Sequence, residues 1–164
     1  MDIDRYIVKA KTLKTREWVT GYYYKMAETT HCTTDDCLPV PIHHYILQET
    51  MTDWELSNQM LQYEIDPDTI CACTELKDKN DNVIFEHDIL KGFYYPYKCD
   101  GEHNYYGLCN WFDEQKVFMI YTVKNPESDV RGISHGNTEL MEEWDCVMWE
   151  IIGNEFDNPE LIGE

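Results

Sequence analysis

Strand signals outnumber helix signals along this chain, and the apolar runs are short and punctuated by turn-forming residues. Tyr6 to Ala10 and Trp18 to Met26 gather β-formers on either side of a polar turn at Lys14-Thr15-Arg16, which predicts an opening hairpin. Tyr22-Tyr23-Tyr24 places aromatic rings on both faces of its second strand, because successive strand side chains point to opposite sides. Residues 28–41 lack periodicity and predict a loop, and His43 to Leu47 a short strand. Thr52 or Asp53 could cap a helix reaching Tyr63, although Trp54, Met60 and Leu61 follow a helical stripe only in part. Beyond it the pattern predicts strands at Ile70 to Cys73, Val83 to Phe85 and Asp88 to Gly92. Tyr105 to Phe112 and Lys116 to Val123, around Asp113-Glu114-Gln115, form the clearest hairpin. Residues 125–138 predict a loop, Glu139 to Glu143 a helical turn, and Cys146 to Phe156 a closing strand.

The densest signal lies between Thr74 and Leu90. Asn80-Asp81-Asn82 tolerate positive φ and cap their own turns, while Val83-Ile84-Phe85 and Ile89-Leu90 fill a pleated surface. Thr74-Glu75-Leu76-Lys77-Asp78-Lys79-Asn80-Asp81 followed by Glu86-His87-Asp88-Ile89-Leu90 resembles the signature of the YopX-like proteins of bacteriophages and prophages. The lead-in Ile65-Asp66-Pro67-Asp68-Thr69-Ile70, the closing stretch Glu150 to Leu161 and, more loosely, Glu17 to Tyr22 extend the resemblance over most of the chain. It implies an SH3-like barrel or roll and a phage origin, but no established common activity. Glu75, Asp81 and His87 stand where the family motif carries glycine. Asp81 can keep a left-handed turn at about 1 kcal/mol. At Glu75 and His87 either φ is ordinary or the flanking backbone has moved.

Length and composition fit one core-forming domain, or a small barrel with an attached subdomain: 164 residues, 43% of them hydrophobic. There is no run of eighteen apolar residues, and the acids at Asp2 and Asp4 do not suit a signal peptide, so a soluble, cytoplasmic protein is expected. On the resemblance, that cytoplasm is an infected bacterial host's. Seven cysteines, an odd number, are expected to be reduced thiols.

The net charge is −19, and it is segregated. Residues 1–25 hold six bases against three acids, whereas residues 26–76 and 132–164 hold no base at all and ten and nine acids. Such a chain repels nucleic acid and anionic membrane, and favours a basic protein surface as partner.

Local chemistry is sparse. His31, Cys32, Cys37, His43 and His44 carry zinc-type donors within fourteen residues, but the loose spacing favours ordinary loop and strand residues over a metal site. Cys71 and Cys73 fall in a predicted strand as small core thiols. The pairs Asp66 and Asp68, or Glu86 and Asp88, could bind a metal or do acid–base work, yet 32 carboxylates produce such pairs by chance. No nucleophile signature and no glycine-rich phosphate loop occurs.

These observations predict a mainly β protein. An N-terminal hairpin and a variable acidic insertion, residues 1–64, pack on an SH3-type barrel, residues 65–164, with minor short helices. The expected function is non-enzymatic and needs no cofactor or metal. It is an acidic, protein-binding phage accessory that inhibits a host nucleic-acid-handling defence complex by mimicking nucleic acid, in its sharpest form an anti-CRISPR. The acids expected to carry it are Asp35, Asp36, Asp66, Asp68, Glu139, Glu142, Glu143 and Asp145. Tyr94, Tyr95 and Tyr97 either cover their own sheet or add an aromatic patch to the binding face. A self-associating structural or regulatory module, forming a homo-oligomer by edge pairing, and a small metal-dependent enzyme are the alternatives.

Overall fold

The computed structural model describes residues 6–28, 40–51, 57–93, 104–124, 138–141 and 148–163. The chain divides into two compact units, Met1–Ala72 and Cys73–Glu164.

In the first unit, β1 (Ile7–Lys11), β2 (Trp18–Ala27), β3 (Ile42–Thr50) and β4 (Gln59–Glu64) form an antiparallel sheet in the order β4-β3-β2-β1. The first two residues of β5 (Cys71–Lys77) pair with β1 through Lys9↔Cys71 and Val8↔Ala72. The opening hairpin is the one expected, with Lys11 opposite Trp18 and Ile7 opposite Tyr22. Its polar turn closes with the Arg16 N–H donating to the Thr12 carbonyl, and Arg16 takes a positive φ of 59°. Ala10, Val19, Ile46 and Ile65 make the core of this unit, with Val8, Tyr63 and Ile70 packed on it. Gly21 is required by close approach, since a Cβ there would lie 2.1 Å from the Leu47 carbonyl oxygen.

The second unit pairs the rest of β5 with β6 (Val83–Phe85) and builds a five-stranded sheet in the order β10-β9-β8-β7-β11. Its strands are β7 (Asp88–Phe93), β8 (Asn104–Phe112), β9 (Val117–Lys124), β10 (Thr138–Leu140) and β11 (Glu150–Asn154). The run Ile89-Leu90 is apolar without alternation because both faces of β7 are buried. Leu90 joins Ile84, Cys109, Ile120 and Trp149 on one side, and Ile89 joins Leu108 and Val123 on the other. Each such side chain contributes about 1.5–3 kcal/mol on burial.

Three expectations are corrected. Gln59 to Tyr63 are extended rather than helical: pairing with β3 outweighs the capping signal at Thr52 and Asp53, which themselves lie outside the described residues. Thr138 to Leu140 form a strand against Met119 to Tyr121, so a helical turn does not begin at Glu139. The expected closed barrel gives way to open sheets, with β10 bonded to β9 and β11 to β7 and no ladder joining those two edges among the described residues.

Glu75, Asp81 and His87 have φ of 67°, 68° and 64°. The left-handed geometry that glycine normally supplies is kept without glycine, so neither an ordinary φ nor a relaxed backbone describes Glu75 and His87. Glu75 sits in a register shift of the β5–β6 ladder, between the pairs Cys73↔Phe85 and Lys77↔Val83. Asp81 follows a turn closed by its own N–H to the Asp78 carbonyl, as three-residue hairpin loops require. His87 sits in the turn before β7, where its N–H donates to the Cys109 carbonyl. Its Nδ1 lies 2.7 Å from Glu155 Oε2, and its ring meets that of Phe156 edge-on.

Candidate protein-interaction face

Among the described residues eleven large hydrophobic side chains are exposed, and seven of them lie on β2, β3 and β4 or on the residue after β3. Strand register sorts them by face. Tyr22, Met26 and Met60 share one side of the sheet, and Tyr23, Ile42 and Leu61 the other. This part of the sheet therefore carries exposed apolar side chains on both faces.

A cleft of about 860 Å³ lies beside it. The β1–β2 turn and the start of β2 contribute Thr12, Lys14, Thr15, Glu17, Trp18 and Val19, while β3 and β4 contribute Tyr45, Gln48, Gln62, Tyr63 and Glu64. The turn is held there by a bridge between Thr12 and Ile65 and by the Leu13 N–H donating to the Glu64 carbonyl. Tyr45 stacks between Tyr24 and His43, with ring centroids 5.2 and 6.2 Å away. Desolvation, then the nearby Glu64 carboxylate and Tyr24, push the Tyr45 hydroxyl above its usual range. His43 Nδ1 lies 2.6 Å from Glu64 Oε1, and His44 Nδ1 lies 2.7 Å from the Tyr23 hydroxyl.

These contacts account for the two described members of the zinc-type cluster; His31, Cys32 and Cys37 lie outside the described residues. Among the described residues no three His, Cys, Asp or Glu side chains come together in a metal-holding group. Cys71 and Cys73 are buried thiols of β5, with Cys71 Sγ donating to the Thr69 carbonyl and Cys73 Sγ accepting the Glu75 N–H.

Of the acids singled out above, Asp66 and Asp68 are placed. Asp66 caps the 3-10 turn Pro67–Thr69 by accepting the Asp68 N–H, and pairs with Arg16. The Arg16 hydrogen bond first, then the Asp68 N–H and the Arg16 charge, outweigh desolvation and hold the Asp66 carboxyl below its ordinary value. Asp68 is exposed. Glu139 lies in β10, and nothing of its side chain is described; Asp35, Asp36, Glu142, Glu143, Asp145, Tyr94, Tyr95 and Tyr97 lie outside the described residues.

Other carboxylates are compensated internally. Asp81 pairs with Lys77, Glu150 with Lys79 and Asp113 with Lys116. Lys9 and Lys11 place their ammonium groups 5.2 and 5.3 Å from the Trp18 ring. Asp78, nearly inaccessible, ties the β5–β6 turn to β11 by accepting the N–H groups of Asn80, Asn82 and Ile151. Burial pushes its carboxyl up, but those bonds and the Asn82 side chain prevail and leave it below the ordinary value.

Sequence reasoning missed Met60, Leu61 and Gln62, which a helix would have scattered around its circumference. The available signal was the absence of any charged residue from Ser57 to Tyr63. No helix among the described residues is long and apolar enough to cross a membrane. The family model described as YopX protein matches residues 10–163. No curated protein matches the chain.

Proposed function

Since this chain belongs to the YopX family, we propose that it is a non-enzymatic accessory protein that binds a basic host protein, with a nucleic-acid-handling defence complex as the target. The observation that carries this reading is the clustering of seven exposed hydrophobic side chains, six on three adjacent strands and Met51 just after β3. Solvent-exposed apolar surface concentrated on one element marks an interaction site more often than scattered single residues do. The segment bearing β3 and β4, residues 26–76, has ten acids and no base, which sets the sign of the partner. Apolar side chains carried on a segment rich in acids suit a cationic groove that normally holds nucleic acid; an anti-CRISPR role is the sharpest form. The bulged β5–β6 hairpin running into β7 supports an SH3-like roll as the scaffold of the second unit. Its place would be the cytoplasm of the infected host.

The test is capture of partners from infected host lysate at low and at moderate salt, with competition by duplex DNA. A basic nucleic-acid-binding protein should be retained at low salt, released as salt rises, displaced by DNA, and lost from a Tyr22→Ser, Met26→Ser, Met60→Ser variant. Retention that ignores both salt and DNA would refute the reading.

A further inference from the structure

Strand β4 is the outermost strand of its sheet and pairs with β3 from Tyr45↔Glu64 to Thr50↔Gln59. In an antiparallel ladder a residue's N–H and C=O point to the same side, alternately toward the neighbour and away from it. Two bonds fix the phase here. The Ile65 N–H donates inward to the His44 carbonyl, whereas the Glu64 carbonyl faces outward and accepts the Leu13 N–H. Counting back in twos from Glu64 sends the N–H and C=O of Gln62 and Met60 outward, and among the described residues nothing pairs with them.

Open edges are usually blunted by lysine, proline or a bulge. Ser57 to Tyr63 contain no proline and no charge, and the β3–β4 register is unbroken. The β1–β2 turn occupies the edge only at Glu64 and Ile65 before diverging, and the cleft lies where it diverges.

We infer that the outer edge of β4 receives an extended basic segment of the partner by strand addition, a mode in which main-chain bonds give affinity and alternate side chains give specificity. This inference rests on the protein-binding reading above. Every second side chain of the added strand points toward the sheet face shared by Trp18, Tyr45, Gln62 and Glu64. There the Tyr45 ring meets the aliphatic stem of a lysine or arginine, and Glu17 and Glu64 meet its charge. The cleft is lined by these two carboxylates and by Lys14, while Lys9 and Lys11 stand over the Trp18 ring at its margin.

The probe is a synthetic peptide alternating Lys and Val, added to the full chain while amide exchange is followed residue by residue. Binding should slow exchange at Met60 and Gln62 and leave Leu61 and Tyr63, already bonded to β3, unchanged. The same peptide with alternate backbone amides methylated should bind at least tenfold more weakly. Gln62→Pro removes an outward N–H without touching the β3–β4 ladder and should also weaken binding about tenfold. Equal binding with and without methylation overturns strand addition, as does protection elsewhere. So does protection of Met60 and Gln62 that grows with protein concentration without peptide, which makes a second copy the occupant. If the Lys–Val peptide fails to bind while salt-sensitive capture of a basic protein succeeds, strand addition alone falls; if both fail, the protein-binding reading falls with it.

Discussion

Glu75 offers a direct measure of what the chain tolerates to keep its turn geometry. At a φ of 67° an L-residue costs about 1–2 kcal/mol relative to right-handed backbone. Glycine removes that cost but adds about 0.5–1 kcal/mol of chain entropy to be lost on folding. Glu75→Gly should therefore be more stable than Glu75→Ala by about 0.5–1 kcal/mol, because alanine discards the side chain and keeps the strained Cβ. For a chain of this size that is an increase in Tm of about 1–4 °C. At Thr20, an exposed β2 position absent from the positive-φ set, the order should reverse and alanine should be the more stable. His87 is the second control. Its imidazole bonds Glu155 and meets the Phe156 ring, so His87→Gly relieves φ while losing about 1–2 kcal/mol of contacts and should not stabilise. Thermal melts of the four Gly and Ala variants at 75 and 20, with His87→Gly, decide the matter. Alanine at 75 equalling or exceeding glycine would refute left-handed strain at that site.

Asp78→Ala leaves three N–H groups without their acceptor and should cost about 3 kcal/mol, read as a lower urea midpoint. Both Asp78 and Asp66 have folded-state pKa values below the ordinary 3.8, so their contribution is present above that value and lost as pH falls through the folded ones. Stability measured from pH 5 downward should fall, and the fall should be shallower in Asp78→Asn. Gly21→Ala drives a Cβ against the Leu47 carbonyl and should cost about 2–3 kcal/mol; an unchanged Tm would contradict the packing of β2 on β3.

The hairpins were legible because alternation and turn residues are local, as at Tyr105 to Val123. Strand β10 was not: Thr138 to Leu140 are extended only because Met119 to Tyr121 lie opposite. At β4 a plausible cap at Thr52 or Asp53 competed with a stretch whose strand character comes from β3. The left-handed backbone at Glu75 and His87 has no compositional signal, since neither residue favours it; only the motif marked the positions. The cleft depends on contact between Thr12 and Ile65, far apart in sequence, and periodicity cannot report that. Asp66, attractive as one of a clustered acid pair, turned out to serve Arg16 and its own turn.

An unguarded strand margin is also a template on which identical molecules can stack. At −19 each copy repels the next, so repulsion at a distance substitutes for the lysine or proline that the margin lacks. Acidification or concentrated salt should remove that restraint, and turbidity should then appear in the parent protein before it does in Gln62→Pro. The surplus of carboxylates that the proposed function assigns to attracting a cationic partner would in this way also hold copies of the chain apart.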